Sequence, residues 1–146
     1  MRLRGISLIA VAGPAFALPA PPAWAAAPAC TITTPNSGTT VYGTSGDDVI
    51  CIQGSNNNVY ASTRGDSVID DGDNNSIYLG DGNGTIHGLG GSGETVDCGS
   101  GDDQITGSPG DDDFSTVGGT DIVDAEDGAN IVTGGPRGRH PRGRNR

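Results

Sequence analysis

The sequence predicts an all-β solenoid of nine-residue repeats, and three observations predict it. Ile32, Val41, Ile50, Val59, Val68, Ile77 and Ile86 are each nine apart, and after one extra residue Val96, Ile105, Phe114, Val123 and Val132 resume the step. Two residues before each of these positions from Ile50 onward stands Asp48, Asn57, Asp66, Asn75, Gly84, Glu94, Asp103, Asp112, Asp121 or Asn130. Four residues before, Gly46, Gly82, Gly101, Gly110, Gly119 and Gly128 recur. Each unit therefore reads as a Gly/Asp turn followed by a three-residue strand centred on one apolar, mostly β-branched residue. One apolar residue per nine cannot bury itself. Stacking the units at about 4.8 Å lines these residues into one interior column.

Composition without position points the other way. Leu, Ile, Val and Phe together number 27 of 146 residues, 35 residues are Gly or Pro, and the formal net charge is −10. Those values belong with disordered chains. They exclude a helical bundle, and the length excludes a large enzyme with an appended domain. The periodic placement of the apolar residues decides for a folded chain.

The two ends of the chain differ from the repeats. Arg2 and Arg4, an apolar stretch over Ile6 to Ala20, and Ala23-Trp24-Ala25 predict a secretory signal peptide over residues 1–25. Pro14, Pro19, Pro21 and Pro22 argue against a membrane anchor, and no other segment of the chain is apolar enough to span a bilayer. Residues 26–42 read as an N-terminal cap with degenerate repeats, and 43–133 as the repeat body. The remainder, 134–146, is a disordered tail of Gly, Pro and five arginines. Export makes the product extracellular. The tail offers contact with an anionic surface; without an aromatic residue to stack on bases, nucleic acid is not expected.

The repeat resembles the RTX, or hemolysin-type, calcium-binding nonapeptide G-G-x-G-x-D-x-U-x, where U is a large aliphatic residue. Gly43-Thr44-Ser45-Gly46-Asp47-Asp48-Val49-Ile50-Cys51 and Cys98-Gly99-Ser100-Gly101-Asp102-Asp103-Gln104-Ile105-Thr106 carry the likeness best. It extends over 43 to 133 and more weakly over 30 to 42. The resemblance implies a parallel β-roll with two repeats per coil, and Ca2+ held between coils by the sixth-position Asp and backbone carbonyls. On that reading Asp48 lies over Asp66, Asp103 lies over Asp121, and Asp112 stands between Glu94 and Asn130. Asp48, Asp66, Asp103, Asp112 and Asp121 are the expected ligands.

Charge supports the same expectation. Between Ile32 and Gly135 there are 18 acidic residues and one arginine, Arg64. Carboxylates stacked about 4.8 Å apart repel, and a divalent cation would neutralise them while cross-linking the turns. A metal-free chain is then expected to be disordered. Asn57, Asn75 and Gly84 depart from the motif, so neutral side-chain ladders and a metal-poor middle are expected there. A single Asp-Asp-x-Ile is an ordinary solvated turn; the register of Asp103, Asp112 and Asp121 is what points to a cation.

The remaining chemistry is sparse. No H-E-x-x-H or G-x-S-x-G motif occurs, and no catalytic residue is expected. Three cysteines in an exported chain favour a Cys30–Cys51 bridge, leaving Cys98 free or intermolecular. The rival function is an adhesive or ice-binding solenoid. The residues after the core positions are too irregular for an ice lattice, though Tyr60 and Tyr78, two units apart, fit a small adhesive stripe.

Overall fold

A computed structural model describes residues 29–135 apart from Leu89. The expected signal peptide and all but the first two residues of the arginine-rich tail lie outside the described residues. Twelve strands follow one another: β1 (Ile32–Thr34), β2 (Thr40–Tyr42), β3 (Val49–Ile52), β4 (Asn58–Tyr60), β5 (Ser67–Asp70), β6 (Ser76–Tyr78), β7 (Thr85–Gly88), β8 (Thr95–Asp97), β9 (Gln104–Thr106), β10 (Asp113–Thr116), β11 (Ile122–Asp124) and β12 (Ile131–Gly134). Each is three or four residues long and is built around one residue of the nine-residue series. No helix is present among the described residues.

Odd strands form one six-stranded sheet and even strands the other, each in simple sequential order and parallel throughout. Two repeats therefore make one coil of a parallel β-solenoid, as the resemblance implies. Strand partners are 18 residues apart, Ile50 with Val68 and Val59 with Ile77. The offset becomes 19 where Ile77 meets Val96 and Ile86 meets Ile105. Because Gly88 still pairs with Asp70 and Thr95 with Ser76, the extra residue is absorbed in the β7–β8 turn and both sheets keep their register.

Residues alternate across a strand, so the central residue of each points between the sheets. Ile50, Val59, Val68, Ile77, Ile86, Val96, Ile105, Phe114 and Val123 are buried, and Ile32, Val41 and Val132 are partly covered at the two ends. A second inward position follows two residues later, filled by Ile52, Ala61, Leu79, Cys98 and Ala125. Cys30 and Cys51 form the disulfide that the sequence favours, with Cα atoms 5.8 Å apart, and Cys98 is a free, buried thiol.

Close stacking of the turns explains part of the glycine content. Gly119 has φ +106°, and a Cβ there would strike the backbone carbonyl of Gly101 in the coil below. Gly119→Ala is expected to cost about 1–3 kcal/mol through backbone strain. A denaturant melt of the variant, with an unchanged midpoint as the contrary result, checks this.

Candidate functional site

The residues two before each core position sit where the chain leaves a turn and enters a strand. Their side chains turn into the roll. Asp48, Asp66, Asp103, Asp112 and Asp121 are all buried, as are Asn57, Asn75 and Glu94. Charge stacking alone suggests acids facing water or a cation; what the fold adds is a backbone need. Each turn leaves an N–H without a strand partner, and a buried N–H must be satisfied. The side-chain oxygen one coil on supplies the acceptor.

Two ladders result, one along each edge of the roll. On the turns entering the odd strands, Asp48 N–H donates to Asp66 Oδ1 at 2.8 Å, Gly84 N–H to Asp103 Oδ1 at 2.7 Å, and Asp103 N–H to Asp121 Oδ1 at 3.1 Å. On the opposite turns, Thr39 N–H donates to Asn57 Oδ1, Asn57 N–H to Asn75 Oδ1, Glu94 N–H to Asp112 Oδ1 and Asp112 N–H to Asn130 Oδ1. The stackings expected for Asp48 over Asp66, Asp103 over Asp121, and Asp112 with both Glu94 and Asn130 are all present. So is the neutral Asn57–Asn75 ladder. Both ladders break in the same coil: Gly84 has no side chain to offer Asp66, whose N–H turns to Arg64 O at 3.0 Å, and Glu94 accepts no bond from Asn75.

The second carboxylate oxygen separates the acids into two kinds. Asp48 Oδ2 accepts from Thr44 N–H at 2.6 Å and Thr44 Oγ1 at 2.9 Å. Asp112 Oδ2 accepts from Ser108 N–H at 3.2 Å and Ser108 Oγ at 2.9 Å. At the equivalent places before Asp66 and Asp103, Ser62 and Gly99 take φ +110° and +71° and give no such bond. Asp66 Oδ2, Asp103 Oδ2 and Glu94 Oε1 are buried without any hydrogen-bond partner.

Proton affinities follow from these surroundings. The Thr44 N–H holds Asp48 below the usual carboxylate range. Burial raises Asp66, and it pushes Asp103 up to about 6 against the opposing pull of the Gly84 N–H. Burial, with Asp112 close by, pushes Glu94 up to about 8. Burial also raises the Cys98 thiol, with Asp103 and Asp121 adding to the effect.

Asp70 is a buried acid that the motif does not flag. It stands at the second inward position, 1% exposed, where the coil below has Ile52 and the coil above has Gly88. Its Oδ1 accepts from Gly72 N–H and Asn75 Nδ2, both at 2.9 Å, and burial pushes its pKa up to about 6. The nine-residue step would have found it, as a carboxylate in a column otherwise apolar or small.

The donor set along these turns is entirely oxygen, which suits a hard cation such as Ca2+ better than a soft one. The unpartnered oxygens of Asp66, Asp103 and Glu94 are the side-chain atoms along these turns with an acceptor position still open. Among the described residues, no three His, Cys, Asp or Glu side chains already converge on one point. A cation there would complete its shell with backbone carbonyls.

Fold and repeat together define a parallel β-solenoid with inward-facing Asx ladders. No protein-family model, no curated protein and no solved structure matches this chain.

Proposed function

We propose that the protein is a secreted Ca2+-binding β-roll, a binding or structural module rather than an enzyme, in which cation binding is coupled to folding. The observation that carries the reading is the set of buried, unpartnered carboxylate oxygens on Asp66, Asp103 and Glu94. Leaving one acceptor oxygen of a buried carboxylate unsatisfied costs about 1–3 kcal/mol, and a divalent cation removes that cost. Asp48, Asp112 and Asp121 extend the same two rows of acids.

Circular dichroism of the chain, melted in chelator and in about 1 mM calcium, tests it. Calcium is expected to increase β structure and to raise the melting midpoint; at a concentration 100 times Kd, each site adds about 2.7 kcal/mol. Identical spectra and midpoints in the two conditions would remove calcium from the account.

One observation favours a second reading, adhesion through a sheet face. Tyr42, Tyr60 and Tyr78 project from β2, β4 and β6 and stack in register, with ring centroids 5.3 and 4.8 Å apart. They form the longest exposed aromatic row among the described residues, extending the expected pair by one ring. Tyr60→Ser is expected to reduce adsorption to a solid surface while leaving the calcium response unchanged. Retained adsorption would count against adhesion by this stripe.

A further inference from the structure

We propose that Tyr42, Tyr60 and Tyr78 form an oxidative cross-linking site, at which hydrogen peroxide, acting through a haem peroxidase, joins Tyr60 to a neighbouring ring and ties adjacent coils together. This goes beyond the calcium reading and depends on the fold alone.

The chain has three tyrosines, and all three stand in one row. The register of β2, β4 and β6 sets Tyr42 against Tyr60 and Tyr60 against Tyr78. Ring planes differ by 14° and 6°, with centroids 5.3 and 4.8 Å apart. Equivalent carbons of successive rings therefore lie about one strand spacing apart. Tyr42, Tyr60 and Tyr78 are 69%, 40% and 38% exposed, so an oxidant reaches each ring and each is free to tilt.

Stacking alone would be served by any aromatic ring. A phenol adds a reaction. Each of two tyrosines gives up one electron and its hydroxyl proton; the peroxide takes both electrons and both protons and leaves as two molecules of water. The phenoxyl radicals carry unpaired spin on the carbons ortho to oxygen, and a bond forms between one such carbon of each ring. The hydrogen on each joined carbon then moves to its oxygen, restoring both phenols. Holding the two radicals side by side makes the coupling effectively unimolecular, so in dilute solution it outruns coupling between molecules.

Position gives the bond a structural use. β2 is the edge strand of its sheet, and Val41 at its centre is only partly covered. Elements with few buried contacts open first. A Tyr42–Tyr60 bond pins β2 to β4, as the Cys30–Cys51 disulfide ties the approach to β1 onto β3 in the other sheet. That disulfide, in the same end of the roll, also belongs with an oxidising environment.

The test treats the full chain, dilute, with hydrogen peroxide and a haem peroxidase, in calcium and in chelator. Dityrosine fluorescence, intact mass and cross-linked peptides are read, on variants whose β spectrum matches the parent. Tyr42 and Tyr78 lie two coils apart, so every intramolecular link is expected to contain Tyr60. Tyr60→Phe, which keeps the stack, is expected to bring the fluorescence to background, whereas Tyr42→Phe and Tyr78→Phe each keep one pair. The linked parent is expected to unfold at a higher denaturant concentration than the untreated chain. A Tyr42–Tyr78 link in the parent, a link that survives Tyr60→Phe, an equal yield from the urea-unfolded chain, or links only between molecules overturns the proposal. A calcium response without dityrosine overturns this site alone. Cross-linking in a chain indifferent to calcium keeps the site and removes the calcium reading.

Discussion

Replacing Asp66 and Asp103 together by Asn is expected to stabilise the roll in chelator by about 2–4 kcal/mol and to abolish much of the calcium-induced gain. Each aspartate spends Oδ1 on the N–H of the coil below and leaves Oδ2 buried with nothing to accept. Asparagine keeps the first bond and makes the second atom a neutral donor. The chain already uses this arrangement: Asn57 Nδ2 donates to Gly54 O at 2.8 Å, and Asn130 Nδ2 to Ala125 O at 2.7 Å. Both acceptors are carbonyls of the residue's own turn, three and five residues back. Asp48→Asn should behave differently, because Thr44 already donates twice to the Asp48 carboxylate and an amide nitrogen there would face donors. Denaturant melts in chelator and in calcium read both signs. Destabilisation of the double variant in chelator would mean that the unpartnered oxygens are not a liability, and the argument for cations there would fail.

The contrast between Asp66 and Asp48 also marks how far the sequence could be read. The nine-residue step places every strand, its single slip, the two-repeat coil implied by the resemblance, and the residue pairs that stack. Strand alternation is local and strict, so one apolar residue per unit suffices to orient the whole unit. The direction of the carboxylates is less legible. Stacked acids suggest an outward, repelling row; the backbone N–H groups that recruit them inward become apparent only when the turn geometry is known. Whether Oδ2 is satisfied depends on the residue four places earlier. Thr44 and Ser108 serve, whereas Ser62, a hydroxyl residue in the equivalent place, takes φ +110° and does not. Nothing in the residue type separates Ser62 from Ser108. Asp70 was legible in principle, but the motif draws attention to the sixth position, and Asp70 occupies the first.

Without calcium, the roll is expected to be more stable near pH 5 than near pH 8, the reverse of a protein whose carboxylates are held by ion pairs. Asp70 and Asp103 rise from 3.8 to about 6, and Glu94 rises from 4.5 to about 8. The groups facing them are acids: Asp71 and Asp112 beside Asp70, Asp102 and Asp121 beside Asp103, and Asp112 beside Glu94. Between the unfolded and folded values the native state binds more protons than the unfolded chain, so stability falls as pH rises through that window. The decline should begin near pH 4, be steepest up to about pH 6 while Asp70, Asp103 and Glu94 all contribute, and continue more gently to about pH 8 on Glu94 alone. Asp48 has the opposite sign: its lowered value stabilises the fold above its unfolded pKa, and that contribution is lost as pH falls through the folded value. It limits stability only on the acid side, below about pH 4. At the size of this domain each kcal/mol moves the midpoint by about 4–8 °C, so melts in chelator at pH 5 and pH 8 should separate clearly. Calcium competes with the same protons, so saturating calcium should remove the decline or invert it. A chelated roll that gains stability from pH 5 to pH 8 would show that these acids are ionised at little cost, and would leave a cation nothing to relieve.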